Sequence, residues 1–144
     1  MQNASYHGHC YNIAMPKKTT PLAKLSFQRS DCSLACALDV IGDKWTLLVV
    51  RDLFDGKHRF SEISSSAEGI KSNVLTERLV RLEAAGLVIR TLYTQRPPRY
   101  EYHLTDTGKE LGPVLKSLAL WGRKNIPGTS PPIFERRKKP PRDK

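Results

Sequence analysis

The segment 60–104, FSEISSSAEGIKSNVLTERLVRLEAAGLVIRTLYTQRPPRYEYHL, constrains the fold more than any other part of this chain. Its apolar residues change period partway along. Leu75, Leu79 and Leu82 recur at i, i+4 and i+7, the spacing of one buried helical face. Beyond Gly86, the runs 87–93 and 100–104 turn to β-branched and aromatic residues, as strands do. Before the leucines, Ser61 is placed to cap a short helix over 62–66, and Ala67-Glu68-Gly69-Ile70 supplies a turn. Ser72 is the expected cap of the second helix and Gly86 its stop. A helix, a turn, an amphipathic helix and a hairpin in that order have the layout of a winged helix-turn-helix. The expected fold class is mainly α with a small β-hairpin wing.

The flanks fit around that unit. Residues 32–41 read as a helix with Leu34, Leu38 and Ile41 toward the core. Gly42 breaks it, and Asp43 is placed to cap a helix over 44–54. In that helix Trp45, Leu48, Val49 and Leu53 make a wide apolar stripe, ended by Gly56. Residues 58–60 can form a very short strand. Thr105 is the expected cap of a last helix over 106–124, which Gly112-Pro113 should kink. Leu111, Val114, Leu115, Leu118 and Trp121 line one side of it, a stripe too apolar for a helix lying alone on a small domain. The expectation is a homodimer joined through its terminal helices, which would also set two groove-reading helices one DNA turn, roughly 34 Å, apart.

The side of the second helix opposite its leucines has a specific chemistry. At about 100° per residue, Asn73, Thr76, Glu77, Val80 and Arg81 fall there, with Lys71 and Ser72 at the start. A merely solvated face carries more Lys and Glu. Asn can pair with adenine, Thr can meet a base edge or a thymine methyl, and Arg81 can reach guanine or phosphate. In the loop 94–99, two prolines stiffen the backbone and hold Arg96 and Arg99 at the tip, where a narrow minor groove would attract them. Double-stranded DNA is the expected partner.

Charge supports this without establishing it. The net charge of +10 concentrates at the ends: four basic and no acidic residues in 1–30, and six basic against two acidic in 135–144. The intervening residues carry fourteen basic and twelve acidic side chains. Basic tails beside a groove-reading module would add sequence-blind, salt-sensitive phosphate contacts, and such tails are also commonly just solvated. The organisation expected is a flexible basic arm over 1–30, a DNA-binding and dimerisation domain over 31–126, and a disordered tail over 127–144 that holds five prolines. Met15-Pro16-Lys17-Lys18 reads as an alternative translation start. No apolar run approaches the roughly 18 to 20 residues of a membrane span, and the N-terminus lacks a signal-peptide core, so a cytoplasmic location is expected.

These residues also carry a family resemblance. The stretch CSLACALDVIGDKWTLLVVRDLFDGKHRFSEI, then IKSNVLTERLVRLEAAGLVIRTLYTQRPPRYEYHLTDTGKELGPVL and LALWG, resembles the HxlR family of regulators, dimeric winged helix-turn-helix proteins related to MarR. The likeness runs from Asp31 to Gly122 and leaves out both tails. It implies transcriptional control with no catalysis. It also implies that Arg59, Ser72, Asn73, Thr76, Arg81 and Arg99 match positions facing DNA. Cys32 coincides with the family's leading cysteine, which in some members senses electrophiles or oxidants.

Cys32 is thus the candidate redox-responsive thiol. A helix start favours a thiolate there, the neighbouring Asp31 opposes it, and a small residue packing at a dimer edge is an equal reading. Cys36 reads as a core cysteine on the same helix face, and a Cys32–Cys36 disulfide within one regular helix would be strained. Cys10 lies in the arm. Cys32-x3-Cys36 lacks a second ligand pair and His7 and His9 lie in the arm, so neither a metal nor a cofactor is expected. Ser64-Ser65-Ser66 has no nearby base and there is no glycine-rich phosphate loop, so no enzyme is expected. The reading is a sequence-specific DNA-binding transcriptional regulator, a repressor by preference, that reads an inverted repeat. The alternative is a winged-helix module that binds protein without specific DNA binding.

Overall fold

The computed structural model describes Leu22 and residues 31–130. The expected arm and most of the expected tail lie outside the described residues, apart from Leu22, which packs half-buried against the core. The elements run α1 (Ser33–Ile41), α2 (Thr46–Phe54), α3 (Phe60–Ser64), α4 (Ser72–Ala84), β1 (Val88–Gln95), β2 (Pro98–Leu104), α5 (Asp106–Lys109) and α6 (Gly112–Asn125). Helices α3 and α4 form the helix-turn-helix, and β1 and β2 pair antiparallel as the wing. The fold is a winged helix-turn-helix, mainly α with one small hairpin.

The core forms where the apolar faces of α2, α3 and α4 meet the base of the hairpin. Val49, Val50, Leu53, Ile63, Leu75, Leu79, Leu82, Leu87 and Val88 are all at most 3% exposed there. The three leucines predicted for the inner face of α4 are its buried residues. Gly69 closes the turn ahead of α4 at φ +64° and Gly86 ends the helix region at φ +70°, a backbone that side chains other than glycine rarely adopt.

Several sequence expectations shift, each for a local reason. Asp43 does cap α2: its Oδ1 accepts from the N–H of Trp45 at 2.9 Å and of Thr46 at 3.1 Å, but the helix proper starts at Thr46. Ser61 and Ser72 are not caps. They lie inside α3 and α4, and extended Arg59 and Lys71 take the cap positions without side-chain bonds. At α3 the work is done from within, where Glu62 Oε2 accepts from the N–H groups of His58 and Arg59, both at 2.9 Å. The short strand at 58–60 reduces to one antiparallel bridge, Arg59 to Glu101. The wing loop is shorter than expected, because the strands continue to Gln95 and Pro98 and leave only Arg96-Pro97 as the turn.

The last helix is not kinked but divided. Thr105 caps α5, its hydroxyl accepting from Gly108 N–H at 3.0 Å, and a new helix then starts with Gly112-Pro113 in its first turn, where proline's missing N–H costs nothing. Leu34 and Leu38, expected in the core, are 66% and 51% exposed. Helix α1 meets the core at its C-terminal end, where Ile41 is buried and Val40 packs half-buried beside it.

Candidate nucleic-acid interface

Helix α4 presents the surface that the sequence singled out. Lys71, Ser72, Asn73, Thr76, Glu77, Val80 and Arg81 are all exposed, while the opposite side is buried. One of these side chains is already committed. Thr76 Oγ1 donates to the Ser72 carbonyl at 2.8 Å, so it offers its methyl group and lone pairs outward but no proton. Glu77 stays exposed beside Arg78, with 3.6 Å between its Oε1 and the Arg78 Nη1.

Arg78, a residue that the sequence pattern does not single out, faces inward. Its side chain is 14% exposed, and Nε lies 3.2 Å from Asp43 Oδ1 without an aligned hydrogen bond. The pairing is electrostatic and ties α4 to the cap of α2. Burial pushes the Asp43 carboxyl up, but the Thr46 hydroxyl, the two backbone N–H groups and Arg78 together outweigh it, so the net displacement is downward.

A second anchor holds the turn between α3 and α4. Asp52, 2% exposed on α2, accepts from Arg51 Nε at 3.1 Å and Nη2 at 2.8 Å, and from the Ser66 hydroxyl. Lys57 Nζ donates to Ser66 Oγ at 2.7 Å and lies 3.5 Å from Asp52. Arg51 also grips Glu68, in the turn itself, through two bonds of 2.6 and 2.8 Å. That bidentate grip holds the Glu68 carboxyl down to about 2. Asp52, Ser66 and Glu68 therefore fix the turn that sets the angle of α4. The one signal in the sequence was an acidic residue among the apolar positions of α2, Val49-Val50-Arg51-Asp52-Leu53.

The wing brings Arg59 and Arg99 to one cleft of about 400 Å³, lined also by Phe60, Ser61, Tyr93, Pro98, Tyr100 and Tyr102. Tyr93 is an extra residue in β1, between the pairs Leu92–Tyr100 and Thr94–Arg99. Such a bulge re-aims the side chain, and the Tyr93 ring lies under the Arg59 guanidinium at 4.7 Å. Arg59 Nε donates to Glu101 at 3.1 Å, which raises the Arg59 pKa further. Arg96 and Arg99 are exposed at and beside the wing turn. At the wing's base, Arg90 stacks on Tyr100 at 4.5 Å and approaches Glu83 of α4 at 3.7 Å.

The remaining candidates sit on the terminal helices. Cys32 is the exposed N-cap of α1, Cys36 is half-buried, and neither forms a disulfide. The apolar stripe of α6 splits in two. Leu111 and Leu115 pack against the core, whereas Val114, Leu118 and Trp121 are 46%, 53% and 59% exposed. Among the described residues there is no cluster of three or more potential metal ligands and no helix long and apolar enough to cross a membrane.

Known proteins are similar to this chain in sequence and in shape. The profile of the HxlR-like helix-turn-helix family matches residues 40–130. An uncharacterised HTH-type transcriptional regulator of Methanothermobacter thermautotrophicus is 46% identical over 92 residues, which cover 64% of this chain and 70% of that protein. Among solved structures, the redox regulator HypR in its oxidised form superposes with a TM-score of 0.60 at 40% identity, over 65% of this chain and 97% of that one. The diamide-treated form of YodB from Bacillus subtilis superposes with a TM-score of 0.54 at 29% identity, over 67% and 96%.

Proposed function

This chain belongs to the HxlR-like helix-turn-helix family of transcriptional regulators, and from that premise we propose that it reads an inverted repeat in double-stranded DNA as a homodimer and represses by occluding a promoter. The observation that carries the reading is the outer face of α4. Ser72, Asn73, Thr76, Glu77 and Arg81 form an exposed surface of small, amide and charged groups, suited to base edges, on a helix anchored behind by Arg78 and the Asp52 network. Arg59, Lys71, Arg96 and Arg99 supply the phosphate and minor-groove contacts around it. The exposed apolar side chains of α1 and α6, Leu34, Leu38, Val114, Leu118 and Trp121, are the surface for the second copy.

Cys32 is the proposed input. It is exposed at the start of α1, beside the proposed dimer surface, and the relatives include a redox regulator and a protein studied after diamide treatment. Oxidation would remove two electrons and two protons from a pair of thiols, one from each subunit, and so couple the redox state to the spacing of the two α4 helices.

The test is a titration of the purified protein against its own upstream intergenic DNA, with and without diamide. Selective binding that diamide abolishes, and that Cys32→Ser makes diamide-resistant, is the expected result. Selective binding indifferent to diamide would keep the regulator and discard the sensor. If selective binding to any upstream fragment fails, the protein-interaction reading of the winged helix takes over.

A further inference from the structure

We infer that Glu101, an anion on the wing, promotes DNA binding by positioning Arg59 for a backbone phosphate. The inference rests on the reading of the wing side as a DNA surface. Its foundation is the single antiparallel bridge between Arg59 and Glu101, reinforced by the Tyr102 N–H donating to the His58 carbonyl at 2.8 Å. The loop ahead of α3 thereby becomes a short rung against β2, although 42 residues separate the partners.

Two groups then hold the Arg59 guanidinium. Glu101 Oε1 takes its Nε at 3.1 Å, and the bulged Tyr93 supports its face at 4.7 Å. Among the described residues Nε is the only Arg59 side-chain donor that is hydrogen-bonded, and the side chain is 50% exposed. The Nη edge, the two-donor fork that fits a phosphate, therefore stays available. The other carboxylate oxygen, Oε2, lies 3.6 Å from His103 Nε2; the His103 ring packs on His58 at 4.4 Å, and His58 Nδ1 is 3.1 Å from the Tyr102 carbonyl.

Two effects of Glu101 on DNA affinity oppose each other. Its negative charge repels phosphate, and its grip spares Arg59 the rotamer entropy otherwise lost on binding. With a side chain 28% exposed and a cation already against it, Glu101 presents little uncompensated charge. The grip wins, so removing this acid weakens binding to a polyanion, opposite to what charge counting predicts.

The experiment is a double-mutant cycle on the full chain, with a mixed-sequence duplex of about three helical turns as probe, since a phosphate contact is blind to sequence. Glu101→Ala should weaken binding about three- to tenfold, while Glu101→Gln, which keeps an acceptor for Nε, should stay within about twofold of the wild type. In an Arg59→Ala background Glu101→Ala should no longer weaken binding. Thermal melts of each variant separate lost grip from lost fold. Tighter binding by Glu101→Ala would overturn the inference, as would an equal loss with Arg59 absent, which would assign the effect to the wing's structure. Wild-type affinity of Arg59→Ala would overturn it too, and would leave the α4 reading to be judged separately on Arg81.

Discussion

Replacing Asp52 by alanine tests whether a buried ionic cluster holds the helix-turn-helix turn. Asp52 is 2% exposed and accepts two bonds from Arg51 and one from Ser66, with Lys57 3.5 Å away. Removing one partner of a buried ion pair costs about 3–5 kcal/mol when the other charge is stranded. Here the cations are not stranded. Arg51 keeps its bidentate hold on Glu68, and the Arg51 and Lys57 side chains are 28% and 31% exposed, so water reaches both. What stays uncompensated is the Ser66 hydroxyl on its buried side and one edge of Arg51. The expected cost is about 2–3 kcal/mol, or roughly 10–20 °C in Tm for a domain of this size. Urea and thermal unfolding by circular dichroism, at matched protein concentration, read it directly. Asp52→Asn should recover part of the loss. A second consequence concerns function: at a temperature where Asp52→Ala is folded, DNA affinity should still fall, because Ser66 loses its bond to α2 and Arg51, which grips Glu68, is no longer held by Asp52. A stability loss below about 0.5 kcal/mol would refute the reasoning about the cluster. Wild-type DNA affinity in the folded variant would refute its link to α4.

Three further outcomes follow from the same structure. The Glu68 carboxyl titrates at about 2, below its ordinary 4.5, so its contribution is complete above about pH 4.5 and is lost as pH falls toward 2. Discounted for its 36% exposure, Glu68→Gln should cost about 1 kcal/mol at neutral pH and nothing near pH 2; a gap that does not close with acid would contradict this. Leu118→Glu, on the exposed α6 stripe, should convert a dimer into a folded monomer in sedimentation, and a dimer that survives would place the interface elsewhere. Arg99→Ala should make the dependence of log K on log salt shallower by about 1, and an unchanged slope would argue against a wing contact.

What the sequence conveyed about this fold was local. Helix α4 is readable because Leu75, Leu79 and Leu82 carry its inner face at i, i+4 and i+7, which leaves the outer face fixed by geometry. Thr105 and Asp43 cap as expected because the cap bond spans three residues. Ser61 and Ser72 misled, since a good cap residue also fits a first turn when an extended residue ahead of it, Arg59 or Lys71, already takes the cap position. Leu34 and Leu38 show a second limit: helical spacing identifies an apolar face but not which partner covers it. The pairs that position the site, Arg51 with Glu68 and Arg59 with Glu101, lie 17 and 42 residues apart and become visible only when α2 meets the turn and the α3 loop meets the wing.

The most direct test of DNA reading by α4 is a comparison of wild type and Arg81→Ala on the protein's footprinted operator and on a scrambled duplex, at one fixed salt concentration. Arg81 is exposed on the outer face, so its loss should spare the fold. The expected result is a loss of about 1–3 kcal/mol on the operator, roughly 5- to 150-fold in affinity, with a much smaller loss on the scrambled duplex. Equal losses on both duplexes would make Arg81 a phosphate contact only, and unchanged affinity for both would remove it from the interface and contradict the assignment of the α4 outer face as the base-reading surface.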